Sequence, residues 1–592
     1  MKNKPLKIFL ITSGITIVAL ATATAALFFN FENTNAAITS DPGQIMTETT
    51  IAPEQREVKI ASNDIPLPVL QTPLPIPTVP PQNLPSKYNF NWDIFHINTT
   101  VKEIVRKDEI RFQNSFKYSS VEGVTCFRGN NYRDTASFGN PDIRNEKLEI
   151  AWNVNIGAID NWTGVGWNGQ PSIVKWSDEL KQKMNMFTPK KQKQGLTEVI
   201  YAALDGKIYF LDLDDGEATR PVINIGYPLK GSVTIDPRGY PLLYSGQGID
   251  EIIDKSEEKN AKNDSNEKND SANVYKKVDI GYRIFNLINN ELLFFLNGND
   301  LFSHRLWGAF DSNGIIDANT DNLIVCGENG LFYTIKLNTL FDIKNSSITL
   351  TPEITKYRYM SPKNGTIGIE NSVAIYKSNA YFADNSGTLQ CIDLNSLTPV
   401  WIRDVTDDTD STIAIEEEQN TSVFLYTACE VDKQSADGYS FIRKINALTG
   451  ELVWEKKVKC IYNEDVNGGA LASPVIGKND IDNLVIYSIA KTSKTNEGKL
   501  IAFDKKTGNI VWSLNMQHYC WSSPVDVYSK DGKTYLIQSD SAGNMFLIDG
   551  RTGKILHSVN LSYSNVEGSP AVYGNMVVVG TRGQQIYGVE IN

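Results

Sequence analysis

Histidine, cysteine and excess positive charge are what this chain of 592 residues has least of. Four histidines leave little acid–base machinery near neutral pH, where histidine is the side chain that ordinarily titrates. No nucleophile stands beside a base, and no glycine loop is shaped to cradle phosphate. These absences argue against catalysis. The six cysteines (Cys126, Cys326, Cys391, Cys429, Cys460 and Cys520) are scattered without metal-ligand spacing. Most fall on predicted strands and read as buried thiols, with a Cys429–Cys460 disulfide left open. Net charge is −12 and no basic stripe is present. Nucleic-acid binding is therefore excluded, because phosphate contacts need clustered Lys and Arg.

What the chain does have is a repeated phrase. Gly498-Lys-Leu-Ile-Ala-Phe-Asp504-Lys-Lys-Thr-Gly508-Asn-Ile-Val-Trp512 returns as Gly543 to Asp549, Gly553 and His557 with the same offsets. The apolar run suits a buried strand, and Asp-x-x-Thr-Gly is turn chemistry, so the phrase is a β-hairpin. Two further β-rich runs precede each hairpin, which gives four strands per unit. Worn copies follow Gly387, Gly206 and Gly330, and another carries Asn446 in place of Asp. From Asp393 to Glu590 the Asp-type positions are spaced by 53, 58, 45 and 41 residues. Such periods with four strands each predict an all-β propeller.

Seven units are complete, and the chain ends on a third strand, Gln584–Asn592. The missing fourth strand reads as Leu148-Glu-Ile-Ala-Trp152-Asn-Val, ahead of the first unit. Eight blades are expected, the last closed by this N-terminal strand so that no sheet edge stays free. Trp152, Trp401, Trp454 and Trp512 stand eight residues after an Asp-type position or its equivalent. They read as blade-docking side chains rather than cofactor contacts, with His557 a packing substitute.

The phrase Gly-x-(apolar)-x-Ala-(apolar)-Asp-x-x-Thr-Gly-x-x-x-Trp resembles the repeat of the PQQ-like (quinoprotein-type) β-propellers. Cys126-Phe-Arg-Gly-Asn130 with Arg133, and the pairs Ser473-Pro474, Ser523-Pro524 and Ser569-Pro570, resemble the family too. The resemblance implies one of two things. Quinoprotein dehydrogenases of the family bind PQQ and calcium and typically carry adjacent cysteines over the cofactor. Its other members are non-catalytic, outer-membrane-assembly-scaffold-like propellers. No two cysteines are adjacent here, and the chain lacks room for the long inter-blade insertions that build the dehydrogenase site, so the second branch is nearer.

At the N-terminus, lysines precede an uncharged stretch from Ile8 to Phe31. As a helix it would span about 36 Å, enough for a bilayer core of about 30 Å. A retained signal anchor over residues 1–31 is favoured over a cleaved signal peptide. Either puts the rest outside the cytoplasm, at the cell membrane or secreted. Residues 32–85 read as a disordered, then Pro-rich linker. Residues 86–147 read as a lead-in packed on the propeller, with a short helix from Val101. Residues 148–592 form the propeller, with a disordered insertion over about 250–278.

The loops joining one blade to the next carry Trp162, Trp167, Gln170, Arg305, Trp307, Tyr357, Arg358, Tyr359, His518, Tyr519 and Trp521. Aromatics and arginine on one rim favour protein recognition. The expectation is a monomeric, membrane-anchored binding module for an envelope protein or surface polymer, without catalytic residues, cofactor or metal. The alternative is a PQQ- and calcium-dependent oxidoreductase, with His518 as base and Asp407, Asp408 or Asp410 on calcium.

Overall fold

Four-stranded antiparallel sheets repeat eight times around a central channel in the computed structural model. It describes residues 78–592, apart from 167–168, 254–274, 361–362, 364–366, 419–421, 436 and 463–466. Blade 1 runs Ser172–Lys175, Thr197–Ala202, Lys207–Asp212 and Ile223–Asn224. The inner strands of blades 2 to 7 begin at Thr234, Ile315, Ala374, Ala414, Val475 and Val525. Blade 8 takes Ala571–Tyr573, Met576–Thr581 and Gln585–Ile591 from the C-terminus and Leu148–Asn155 from upstream. That last pairing runs antiparallel from Gln585↔Asn155 to Ile591↔Leu148, so the ring closes as the sequence predicts.

The turn chemistry explains the hairpins. Asp504 Oδ1 accepts from the Thr507 amide at 2.8 Å and its hydroxyl at 2.7 Å, and Gly508 follows with φ +70°. Asp549 and Thr552 repeat this. Beyond the turn, a register shift at Ala502/Phe503 inserts one residue into the outer strand just before Trp512. The same bulge stands at Cys391/Ile392, Lys444/Ile445 and Gly588/Val589. A bulge re-aims the side chain beside it. Each Trp beside it is buried against the next blade.

There each indole N–H donates to the carbonyl one residue past the next blade's Asp-type position. Trp152 reaches Leu213, Trp401 reaches Ala447, Trp454 reaches Lys505 and Trp512 reaches Gly550, at 2.8 to 3.1 Å. The turn glycine of that blade lies flat on the ring. A Cβ on Gly553 would fall 2.5 Å from Trp512 Cε3, and one on Gly450 2.8 Å from Trp401. His557 faces the same seam and accepts from the Leu148 amide through Nδ1 at 3.2 Å.

Upstream segments differ from expectation in several places. Asn91–His96 and Thr99–Val101 extend the blade 3 sheet outward as a hairpin, and no helix forms at Val101. The end of the Pro-rich stretch folds into two 3₁₀ turns, Pro81–Asn83 and Pro85–Lys87, and Asn83 donates to the Thr449 carbonyl at 3.0 Å. It is part of the folded unit rather than a free spacer. In the insertion, Glu251–Ile253 pair with Tyr275–Lys277, so its two ends are ordered. All six cysteines are free and buried, and Cys429 and Cys460 form no disulfide. The Ile8–Phe31 span lies outside the described residues, among which no helix is long and apolar enough to cross a membrane.

Candidate functional site at the channel mouth

Strand order puts the connections between blades on one face, together with the turn between the second and third strands of each blade. Two residues before each inner strand stands Gln170, Ser232, Asn313, Ser372, Thr412, Ser473, Ser523 or Ser569. These form a girdle of hydrogen bonds from blade to blade. The amide of Thr412 donates to Ser473 Oγ, Ser473 to Ser523 and Ser523 to Ser569, at 3.0 to 3.1 Å. Asn313 and Ser372 continue it, and Gln170 donates to Ser232 at 2.9 Å. The Ser-Pro pairs therefore supply hydroxyl acceptors around the channel.

The Cys126–Arg133 phrase crosses the channel and fills it. The carbonyl of Thr125 just before it, and its own at Asn131 and Tyr132, accept from inner-strand amides of blades 2, 4 and 5. Arg128, fully buried, donates to the Pro474 and Pro524 carbonyls at 2.7 Å. Arg133, equally buried, donates to the carbonyls of Val373, Phe127 and Asn313. Charge-assisted bonds of this kind are about twice as strong as neutral ones. Both arginines are thus spent on holding the plug.

Above Phe127 opens a small pocket lined by Ser232, Asp311, Glu370, Ser372, Asp410 and Thr412. Lys230, Asp311, Glu370, Asp410, Leu471, Trp521 and Glu567 each stand four residues before an inner strand, so they form one ring at the mouth. Second-to-third-strand turns add Glu328 and Glu430. Two trios of carboxylates result, Asp311–Glu328–Glu370 and Asp408–Asp410–Glu430, with oxygens within 4.8 Å of one another in each. Lys230 Nζ lies 2.5 Å from Asp311 and Arg305 3.7 Å from Glu328. Burial, then Glu370, pushes the Asp408 carboxyl up to about 7; burial raises the Asp410 and Glu430 carboxyls well above the usual range, with Glu370 next in effect on Asp410 and Asp408 next on Glu430.

The residues singled out from sequence divide three ways. Trp162, Arg305, Trp307, His518, Tyr519 and Trp521 lie on the connections of this face and are half-buried. Tyr519 and Trp521 form a ring pair 5.3 Å apart. Trp167 lies outside the described residues. Tyr357 and Tyr359 are corrected: both sit on an outer strand, fully buried between blades 3 and 4, with hydroxyls donating to Gln390 and Asp384. Arg358, between them, pairs with Asp93 at 2.5 Å on the added hairpin. Gln170 is corrected too, being buried and bonded to Arg128 and Cys126 of the plug. Asp407 accepts from the amides of Asp432 and Lys433 and so fixes a turn.

Sequence reading missed the mouth carboxylates outside the Asp407–Asp410 run. The signal that finds them is position: aligning every connection on its Ser-Pro or equivalent would have put Asp311, Glu370 and Asp410 in one column. Glu328 and Glu430 have no such marker, since their turns differ in length.

The family profile described as outer membrane protein assembly factor BamB matches residues 496–592, the blades where the repeat is least worn. The C-terminal blades are PQQ-type repeats. Among solved structures, a quinohemoprotein alcohol dehydrogenase, ADHIIG from Pseudomonas putida HK5, is 10% identical. That match covers 79% of this chain and 80% of that one at a TM-score of 0.50. BamB from Moraxella catarrhalis is 14% identical over 66% of this chain and 93% of its own, at 0.42. The computationally designed Ika8 protein is 12% identical over 75% and 100%, at 0.44. At 10% identity the dehydrogenase match shows a shared fold alone. No curated protein matches the chain. The PQQ-type repeat thus accounts for the ring, while the mouth chemistry has to be read from these residues.

Proposed function

We propose that this propeller is a non-catalytic binding module, tethered to the membrane outside the cytoplasm, that recognises an envelope protein or surface polymer. The observation that carries this reading is the connection face itself. Leu301 and Leu306 of the blade 2–3 connection are 97% and 87% exposed, and Tyr563 of the blade 7–8 connection is fully exposed. Half-buried Trp307, Tyr519 and Trp521 stand on the same face. Exposed apolar side chains set among polar loops are what recognition surfaces use. A triple substitution Leu301→Ser, Leu306→Ser, Trp521→Ala, in the full chain, tests it. In-cell crosslinking should recover a partner with the wild type and lose it with the variant. Unchanged capture would move the surface elsewhere, and recovery of nothing but the chain itself would end the scaffold reading.

The second reading is a PQQ- and calcium-dependent oxidoreductase, favoured by the buried carboxylates of the mouth. The donor set does not suit that quinone, which carries carboxylates of its own. It would meet six carboxylates, while Lys230, Arg305 and Lys433 are already within ion-pair distance of Asp311, Glu328 and Asp408. Like charges brought together in a partly buried site are destabilised strongly. Dye reduction with alcohols or sugars after adding PQQ and calcium would reverse this preference.

A further inference from the structure

The two carboxylate trios of the mouth are not equivalent, and the difference points to an ion. In the first, Lys230 and Arg305 bring positive charge against Asp311 and Glu328. In the second, the neighbouring cation is Lys433, half-exposed and 3.3 Å from Asp408, and it also reaches Asp432 and the Asn385 carbonyl. No lysine or arginine lies within ion-pair distance of Asp410 or Glu430 among the described residues. Yet these two are the most enclosed of the trio, at 6% and 1% exposure. Asp408 Oδ1, Asp410 Oδ1 and Glu430 Oε1 are buried oxygens that accept no hydrogen bond. A buried carboxylate oxygen left without donor or counter-charge costs several kcal/mol. Each of the three residues also brings a carboxylate oxygen within 4.8 Å of the other two, and so crowded a set of buried acceptors calls for a positive occupant.

We propose that Asp408, Asp410 and Glu430 form a calcium site that needs no quinone. The oxygens are all hard donors, which suits calcium or magnesium rather than zinc or copper. Calcium is favoured by geometry. Carboxylates from two separate chain segments form an irregular set of oxygens, which calcium's flexible coordination at Ca–O distances of about 2.3–2.6 Å accepts, whereas magnesium demands a near-ideal octahedron and keeps several waters. The backbone cannot easily contract. The Glu430 amide donates to the Asp408 carbonyl at 2.8 Å, and Asp407 ties the 432–433 amides to the same connection. Asn467, from the following connection, donates to Glu430 Oε2 at 2.9 Å and leaves Oε1 aimed inward. The site therefore joins the blade 4–5 connection to blade 5, and through Asn467 to the blade 5–6 connection. It goes beyond the binding-module reading and stands whether or not that reading does.

The test is calorimetric titration of the full chain, stripped with chelator, with calcium chloride alone, paired with thermal unfolding. One ion per chain should bind and raise the melting temperature, with magnesium at least tenfold weaker. Asp410→Asn and Glu430→Gln should each weaken binding at least tenfold. Both should melt no lower than the wild type in chelator, because each replaces one of several crowded, buried carboxyls with a neutral amide of the same shape; this also shows that they fold. Glu328→Gln, in the other trio, should bind as the wild type does. No heat and no melting shift up to roughly 10 mM calcium, ten times the weak end of protein calcium sites, would overturn the proposal. So would wild-type affinity in Glu430→Gln, or its loss in Glu328→Gln.

Discussion

Blades 5 to 7 and blades 2 to 4 solve the same docking problem with different parts. Six of the eight blades present a carbonyl one residue past the Asp-type position to a side-chain donor from outside the blade. In blades 5 to 7 the donor is an indole from the preceding blade: Trp401, Trp454 and Trp512 to Ala447, Lys505 and Gly550. Trp152 of the closing strand does the same for Leu213. In the worn half, Arg220 of blade 1 donates to the equivalent Leu287 carbonyl of blade 2 at 3.0 Å. Arg106, from the lead-in, donates to Leu394 of blade 4 at 2.9 Å. At blade 3 the corresponding side chain is Phe294, which packs in a cluster with Leu337 and has no donor. The carbonyl is the fixed feature of the fold, and the tryptophan is only its commonest partner here. An indole brings its own apolar area; an arginine brings a charge that must be balanced. Arg220 is accordingly locked to Glu198, both fully buried, at 2.7 Å.

That difference sets the largest expected effects. Trp512→Ala should cost about 3–5 kcal/mol, measured by urea unfolding, as a large buried ring is lost. Trp512→Phe, which keeps most of the area and loses the N–H, should cost about 1 kcal/mol. Arg220→Met should also cost about 3–5 kcal/mol, but by stranding the Glu198 carboxylate. Adding Glu198→Gln should then recover at least half of the Arg220→Met loss and none of the Trp512→Ala loss. Recovery in both backgrounds, or in neither, would erase the distinction between the two kinds of seam.

The intact half was legible in sequence because its chemistry is local: a turn of Asp, Thr and Gly, a bulge, and a Trp at fixed offset lie within one hairpin. The closing strand at Trp152 was legible for the same reason, since it carries the phrase. The seams at Arg220 and Arg106 were not, because a guanidinium that replaces an indole from another chain position leaves no spacing to detect. Tyr357 and Tyr359 misled as an aromatic cluster before a loop. Their strand runs eight residues, Glu353–Met360, and its alternation buries both rings between blades. The mouth was half legible. Asp408 and Asp410 stood out as an acidic run, but Glu430 reaches them only because the ring brings a turn of blade 5 against the preceding connection.

A middle-sized effect separates backbone strain from contact with the ring. Gly553 and Gly226 both have positive φ, +71° and +80°, but only Gly553 lies against an indole. Gly553→Ala should cost about 2 kcal/mol, strain plus displacement of Trp512, and should shift tryptophan fluorescence. Gly226→Ala, with open space around its Cβ, should cost about 1 kcal/mol and leave the fluorescence unchanged. Equal costs would mean that the flat contact contributes nothing beyond the turn.

The smallest effect concerns the device both halves share. Ser523 Oγ accepts from the Ser473 amide, and Ser232 Oγ from the Gln170 amide, at 3.0 and 2.9 Å. Replacing either hydroxyl with hydrogen leaves a buried N–H without that acceptor, which costs about 1 kcal/mol. Because the geometry is the same in a worn pair of blades and an intact one, Ser232→Ala and Ser523→Ala should lose equal stability. Each should also speed hydrogen exchange at one amide, Gln170 or Ser473. If Ser523→Ala is costly and Ser232→Ala is silent in both readouts, the girdle belongs to the repeat and not to the ring. The worn blades would then be held from outside by the plug and the lead-in, because Arg133 of the plug already ties Asn313 of blade 3 to Val373 of the adjacent blade 4.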